Sequence, residues 1–435
     1  VSPPLKPGDV VEIRVEKGVY GGVGLARHEG QVVFVPRGFP GDRLKVEVVG
    51  LRKGYARAAI RERLEDGPGR RAPPCPYTAP CGGCSYQELE PEASRSLKEA
   101  ILRESLERSG VPFGGPIALR PSPEVGWRSR ASLHFGGNEQ ALTLGLHEEG
   151  TRRVVDIEAC LQLSPAMNQA ARAALRAVSE RPGLRGRVSD LEIAESPDRL
   201  VLALRADMEA GEAPRHASIA REIPATGVGI SCRRGVFVSL SGEPFLKWDI
   251  HGVRLRSHVL SFFQGNRFLV PDLVETVLAF LPAGERILDL YAGVGLFAIP
   301  AGARGDAVRG AEQNPFAVED ARKNAQAAGL HNVRFEKGDV LGLLRGWPPV
   351  KEEAVVLDPP RTGAGVEVVR AIVAREPRAV VYVSCDPPTL GRDLKAFAEG
   401  GYGLQELRGF DLFPDTSHLE VVALLLRGGT PGTLC

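Results

Sequence analysis

Arg286-Ile-Leu-Asp-Leu-Tyr-Ala-Gly-Val-Gly-Leu-Phe-Ala298 decides how the C-terminal part of this chain folds. An apolar run of strand length climbs to Tyr291 and breaks into Gly293-x-Gly295-x-x-Ala298, the spacing of a glycine-rich turn that opens a helix against a nucleotide. Glu312 follows at the distance expected of an acid that binds a ribose. This turn suits NAD as well as S-adenosylmethionine. Asp289, inside the strand, tilts the reading toward the methyl donor, because a pyrophosphate beside that carboxylate would be repelled. From here on strands and helices alternate in the order of a doubly wound α/β sheet, which places a Rossmann-like domain over residues 261–435.

Two further strands of this domain end in Asp-Pro-Pro. Val355-Val-Leu-Asp358-Pro-Pro-Arg361 carries a motif typical of methyltransferases acting on nucleobases or amides, and Val381-Tyr-Val-Ser-Cys385-Asp-Pro-Pro388 carries a cysteine. Ligands of open α/β sheets bind beyond the carboxyl ends of the strands, so both motifs belong at the lip of a site. Pro387 and Pro388 stiffen the loop behind Cys385. Alone, Cys385 reads as a small apolar residue finishing a strand; its company makes it the candidate nucleophile.

The rest of the chain sets bounds. At 435 residues it should hold several domains, and 43% hydrophobic with 25% charged residues is an ordinary globular composition. Lys+Arg 55 against Asp+Glu 54 leaves a net charge of +1, so a nucleic-acid site would be a local patch. Apolar runs such as Val421–Leu426 are too short for a transmembrane helix. The N-terminal Val1-Ser-Pro-Pro-Leu-Lys shows no signal segment, so a cytoplasmic location is expected.

Over residues 1–66, short stretches around Asp9–Glu16, Gln31–Val35 and Leu44–Val49 alternate apolar and polar residues between glycine turns, as in a small OB-like β-barrel. Arg43, Lys45, Arg52, Lys53, Arg57, Arg61 and Arg63 gather in its second half with Tyr55 among them, a pattern suited to a phosphate backbone and an unstacked base or to a solvated charged face. Val10–Leu64 resembles a TRAM domain, which implies RNA binding.

A Pro/Gly-rich linker at Asp66–Pro74 leads to a central α+β domain over 67–260. It opens with Cys75-Pro-Tyr-Thr-Ala-Pro-Cys81-Gly-Gly-Cys84, three thiols that can converge on one soft metal centre, with Cys160 as candidate fourth ligand. Seven cysteines, an odd number with three crowded together, argue for metal or catalysis over a disulfide framework. Zinc and an iron–sulfur cluster both accept four thiolates, but zinc sites usually pair two Cys-x-x-Cys knuckles and a second is absent. The spacing fits a structural [4Fe-4S] cluster better. Glu90–Arg108 has the periodicity of an amphipathic helix. Arg120, Trp127-Arg-Ser-Arg130 and Arg152-Arg153 add positive charge, and Cys232 reads as core.

Taken in order, Ser261-Phe-Phe-Gln264-Gly-Asn266, Asp289–Gly295, Asp358-Pro-Pro-Arg361, Ser384-Cys385-Asp-Pro and Asp415-Thr-Ser-His418-Leu-Glu420 resemble the RNA uridine-5-methyltransferase family. The cysteine pattern also resembles its iron–sulfur members. Barrel and cluster together resemble the 23S ribosomal RNA branch; the tRNA T-loop branch typically lacks both. The resemblance implies that Gln264, Tyr291, Glu312 and Asp358 line an S-adenosylmethionine site, that Cys385 is the nucleophile and that Glu420 is the base. The partner it implies is RNA, with a monomer as the simplest oligomeric state. An RNA cytosine-5-methyltransferase, an inert RNA-binding protein and an NAD oxidoreductase are the competing readings.

Overall fold

The computed structural model describes residues 5–138 and 141–429. Residues 1–4 of the stretch read for a signal segment, and the seventh cysteine, Cys435, lie outside them. Five strands open the chain: β1 (Val10–Val19), β2 (Val23–His28), β3 (Gln31–Pro36), β4 (Arg43–Arg52) and β5 (Tyr55–Glu65). They close into a barrel in the order β1-β2-β3-β5-β4. Period-2 alternation sends Leu44, Val46 and Val48 inward to meet Ile13, Val15, Val33 and Val35, while the charges between them face out.

Helix α1 (Pro91–Ser109) starts on Pro91, whose missing N–H costs nothing at a helix N-terminus, and stops at Gly110 with φ 77°. Its buried Leu102 and Leu106 join the core of the C-terminal sheet, and the short strand β6 (Leu119–Arg120) pairs in parallel at that sheet's far edge. Residues 67–260, read from the sequence as one central domain, therefore contribute strands to three sheets, one of them the C-terminal sheet.

The second sheet is built from β7 (Arg130–Gly137), β8 (Leu142–His147), β9 (Val154–Asp156), β10 (Val188–Ser196), β11 (Arg199–Ala206), β12 (Gly227–Ser231) and β13 (Phe237–Gly242). The strand order is β13-β12-β11-β10-β7-β8-β9. Helix α2 (Pro165–Ser179) lays Met167, Ala170, Ala174, Ala177 and Val178 on it; alanines allow close approach. Cys232 is buried in this core. A hairpin, β14 (Phe245–Ile250) with β15 (Val253–His258), bridges to the catalytic region.

That region contains α3 (Val270–Phe280), β16 (Arg286–Leu290), α4 (Ala298–Ala303), β17 (Ala307–Glu312), α5 (Pro315–Ala327), β18 (Val333–Lys337) and α6 (Val340–Gly346). It continues with β19 (Glu353–Leu357), α7 (Val366–Val373), β20 (Ala379–Ser384), α8 (Pro387–Glu399), β21 (Tyr402–Phe410) and β22 (Glu420–Arg427). The strands form one sheet in the order β18-β17-β16-β19-β20-β22-β21-β6. All neighbours are parallel except β22, which runs against β20 and β21. Strand order reverses between β16 and β19, so a crevice opens above their carboxyl ends. Among the described residues no helix is long and apolar enough to cross a membrane.

Candidate active site

Register assembles the site. Leu290 of β16 pairs with Leu357 of β19, so Tyr291 and Asp358 leave the sheet side by side. Ser384 pairs with Val421 across the antiparallel β20–β22 ladder, and one step further that register sets Cys385 opposite Glu420. The reversed strand thus begins where its parallel neighbours end, and it delivers a carboxylate to the crevice.

Around the glycine turn, Gly293 (φ 54°) and Gly295 (φ 87°) adopt backbone conformations that favour glycine. A Cβ at Gly293 would meet nothing nearer than the Phe262 carbonyl at 4.0 Å, so the space above the turn is open. Tyr291 itself sits at φ 64°, a strained value for a bulky residue. The Gly293 N–H donates to Glu312 Oε2 (2.9 Å) and the Asn314 N–H to Glu312 Oε1 (2.7 Å). Gln264 donates to Asp358 Oδ2 (2.9 Å). Asp289 is fully buried; its Oδ2 accepts the Ala298 N–H (3.0 Å), but its Oδ1 has no partner. Of the residues proposed for the donor site, Gln264, Tyr291, Glu312 and Asp358 all come to this crevice.

The electrostatics of the crevice raise its acids. Burial pushes the Asp358 carboxyl up to about 7 and raises Glu420 well above the usual carboxylate range, helped by Asp358. Glu420 Oε1 is buried without a hydrogen-bond partner. The Cys385 thiol is pushed up to about 12 by burial first, then by Glu420 and Asp358. Against this work Arg361 and the N-terminus of α8, capped by Asp386 Oδ1 on the Thr389 N–H (2.9 Å). The His418 ring, largely enclosed, is pushed down to about 4 and is neutral.

The segment Asp411–His418, which leads into Glu420, is gripped from the N-terminal half. Lys98, wholly buried, donates to Asp411 Oδ1 (2.6 Å) and to the Phe413 carbonyl (3.0 Å). Arg71 donates to Asp415 Oδ1 (2.9 Å), Gln87 to Asp415 Oδ2 (2.9 Å), and the Tyr86 N–H to the Asp415 carbonyl (2.8 Å). Gln162 donates to Cys84 Sγ (3.0 Å) and to the Pro414 carbonyl (3.2 Å).

That last bridge starts at the cysteine group. Cys160 raises both Cys81 and Cys84 electrostatically, and Cys75 raises Cys81 and Cys160, so the four thiols share one neighbourhood. The Gly83 N–H donates to Cys81 Sγ (3.3 Å), and the half-buried Arg128 favours negative charge on Cys84 and Cys160. Among the described residues no three His, Cys, Asp or Glu side chains stand close enough to clasp a metal ion as they are. The surroundings nevertheless suit thiolate ligands: amide donors aimed at sulfur, a nearby guanidinium, and glycines where the chain passes close to Leu146 and Glu149.

Three features were missed in the sequence. Arg361 is exposed, has no ion-pair partner among the described residues and bears on Cys385, Glu420 and His418. Phe262 is 59% exposed with the Arg130 guanidinium 5.8 Å from its ring centroid, beside the open turn. Tyr20 reaches the site from the barrel. The basic run of the barrel, in contrast, is partly spent: Arg43 pairs with Glu12 and Glu65, Arg61 with Glu47, and Arg63 with Glu88. Lys45, Arg52, Lys53 and Arg57 remain exposed and outside any ion pair among the described residues. Arg120 pairs with Asp272, Arg153 with Glu148, and Arg128 and Arg130 are half-buried.

Sheet order, open glycine turn and Asp-Pro-Pro crevice define the methyltransferase class. Residues 4–60 match the TRAM domain model and residues 350–428 match the model described as tRNA (Uracil-5-)-methyltransferase. An RNA methyltransferase of Aquifex aeolicus without an assigned substrate is 33% identical over 95% of this chain and 98% of its own. The 23S rRNA (uracil(1939)-C(5))-methyltransferase RlmD of Klebsiella pneumoniae is 32% identical over 93% of each chain. Among solved structures, the Pyrococcus abyssi tRNA (uracil-54, C5)-methyltransferase, in complex with S-adenosyl-L-homocysteine, superposes with a TM-score of 0.75. It is 26% identical, over 95% of this chain and 99% of that one. The chain belongs to the RNA (uracil-C5) methyltransferase family.

Proposed function

We propose that this enzyme methylates C5 of uridine in 23S rRNA, in the cytoplasm and as a monomer, through a covalent bond from Cys385 to the base. The observation that carries the reading is Cys385 set opposite a buried Glu420, whose Oε1 has no hydrogen-bond partner among the described residues, at the lip of the methyltransferase crevice. S-adenosylmethionine supplies an electrophilic methyl group; Gln264, Tyr291, Glu312 and Asp358 are the residues we assign to hold it. Uracil C5 is a poor nucleophile. The Cys385 thiol gives its proton to water and the thiolate adds to C6, which pushes an electron pair through the ring to O4 and makes C5 electron-rich enough to take the methyl group, leaving S-adenosylhomocysteine. C5 then carries both methyl and hydrogen. Glu420 removes that proton, the pair returns to C5–C6, and the Sγ–C6 bond breaks. A carboxylate raised by burial is a stronger base than one in water, which suits removal of a carbon-bound proton.

Cys385 lies half-buried in the crevice, so the target base has to leave its stack to reach it, and a loop or flipped nucleotide is the substrate form. Phe262 offers a face for stacking beside the turn, and the unpaired Lys45, Arg52, Lys53 and Arg57 of the barrel offer phosphate contacts. Cys75, Cys81, Cys84 and Cys160 are assigned to a structural [4Fe-4S] cluster, whose negative charge the Gly83 and Gln162 donors and Arg128 would offset. Methyl transfer from labelled S-adenosylmethionine to unmodified 23S rRNA and, separately, tRNA tests the reading. Label recovered as 5-methyluridine from rRNA alone is expected. Label from tRNA alone would keep the chemistry and replace the substrate with that named for the Pyrococcus abyssi enzyme. Label in 5-methylcytidine would replace the base.

A further inference from the structure

Tyr20 lies in the barrel, in the turn between β1 and β2, yet its hydroxyl is 3.4 Å from the Cys385 carbonyl oxygen and 3.2 Å from His418 Nδ1. Its ring meets the His418 ring edge-on with centroids 6.1 Å apart. The turn is wedged in place: a Cβ on Gly22 would come within 2.7 Å of Ser85 Cβ and 3.8 Å of Ser417 Cβ. Ser85 follows the cysteine loop and Ser417 precedes Glu420 by three residues, so barrel, cysteine loop and catalytic loop meet here. The Asp411–His418 segment on one side is already fixed by Lys98, Arg71, Gln87 and Gln162. Tyr20 extends that fixity to the backbone of Cys385, on which the direction of Sγ depends.

We propose that Tyr20 is a positioning residue for the nucleophile, its hydroxyl tying the Cys385 peptide to His418 so that the barrel completes the catalytic site as well as binding RNA. This rests on Cys385 being the nucleophile. Burial keeps the phenol protonated and His418 neutral, so the tie persists across the neutral range. A misplacement of about 1 Å at a reacting atom can cost roughly 100-fold in rate.

The test uses the cluster-loaded full chain and RNA, 23S rRNA or tRNA according to which is methylated, transcribed with 5-fluorouridine. Sγ bonds to C6 and C5 takes the methyl group, leaving S-adenosylhomocysteine. The fluorine on C5 cannot leave as a cation, so elimination stops and the protein stays attached. Tyr20→Phe and Tyr20→Ala are expected to slow adduct formation at saturating RNA by about 10- to 100-fold. RNA affinity and the thermal midpoint of Tyr20→Phe should stay at wild-type values. A Tyr20→Phe protein as fast as wild type, with only Tyr20→Ala slowed, would overturn the role of the hydroxyl and leave ring packing. Weakened RNA affinity with an unchanged saturated rate would make Tyr20 an RNA contact instead. If wild-type protein forms no adduct, the covalent reading fails and this inference fails with it, whereas a wild-type adduct with an unaffected Tyr20→Phe sinks this inference alone.

Discussion

Cys385 and Cys84 are both half-buried thiols pushed up to about 12, and desolvation is the main cause for each, but their company differs. Cys84 receives a hydrogen bond from Gln162 and lies near Arg128, which favours the thiolate. Cys160, close by, is favoured by the same guanidinium and by the Leu163 and Gln162 N–H groups. Cys385 instead faces Glu420, Asp358 and Asp386, all of which oppose the thiolate, with the exposed Arg361 as the cation that favours it. One set of sulfurs is prepared to carry negative charge permanently, as metal ligands must. The other is held as a thiol until something positive or electrophilic enters the crevice. That is the division our proposed assignment calls for, with one reactive cysteine and four metal ligands.

The sharpest way to break the comparison is to remove sulfur from each set. Cys385→Ala should lower methyl transfer by more than about 10³-fold while leaving iron content and S-adenosylmethionine affinity intact. Full activity in that variant would end the covalent mechanism. Glu420→Gln should let addition and methyl transfer proceed and then stall, and an RNA–protein band that survives denaturation is the readout; turnover falls by about 10²–10⁴-fold. Cys81→Ser should act through structure: iron and sulfide per protein fall, and the midpoint of thermal unfolding drops with them. Unchanged iron in Cys81→Ser would remove that residue from the ligand set.

These contrasts were only partly legible in the sequence. Strands β16, β19 and β20 were readable because both faces of a parallel sheet are buried, which leaves continuous apolar runs ending in loop residues. Crowding alone drew attention to Cys75, Cys81 and Cys84, whereas Cys160 was added as a distant fourth and Cys385 was picked out by its neighbouring motifs. Long-range pairing was not: nothing local in Leu119–Arg120 says that it joins β21, and the reversal of β22 that brings Glu420 to Cys385 is a property of the sheet. Arg43, Arg61 and Arg63 looked like a nucleic-acid patch until the barrel closed and laid glutamates beside them. Tyr20 carried no signal, since its partners are 365 and 398 residues away.

Between the two cysteine sets lies the buried Lys98–Asp411 pair, which fixes the segment joining them. Lys98→Met leaves Asp411 without its cation in a buried place, and the Phe413 carbonyl without its donor. Denaturant unfolding should show a loss of about 3–5 kcal/mol. The double variant Lys98→Met/Asp411→Leu should recover part of that, because no charge is then stranded. A loss no smaller in the double variant would assign Lys98 a packing role.

The smallest expected effect sharpens the contrast most, because it reads the surroundings of Cys385 directly. Only the thiolate is alkylated, so a thiol at about 12 is almost wholly protonated at pH 8, and each added pH unit raises the thiolate fraction about tenfold until the pKa is reached. Alkylation of Cys385 by iodoacetamide, followed peptide by peptide in ligand-free protein, should therefore keep climbing past pH 10. The same peptide in denaturant should level off near the ordinary thiol value of about 8.5. Asp358→Asn removes a charge that opposes the thiolate and should move the folded curve down by about one pH unit; Arg361→Ala removes the one that favours it and should move the curve up by a similar amount. Levelling near pH 9 in the folded protein would mean that neither burial nor the carboxylates raise Cys385. The distinction between a thiol held in reserve and thiols committed to a metal would then rest on the Arg128 side alone.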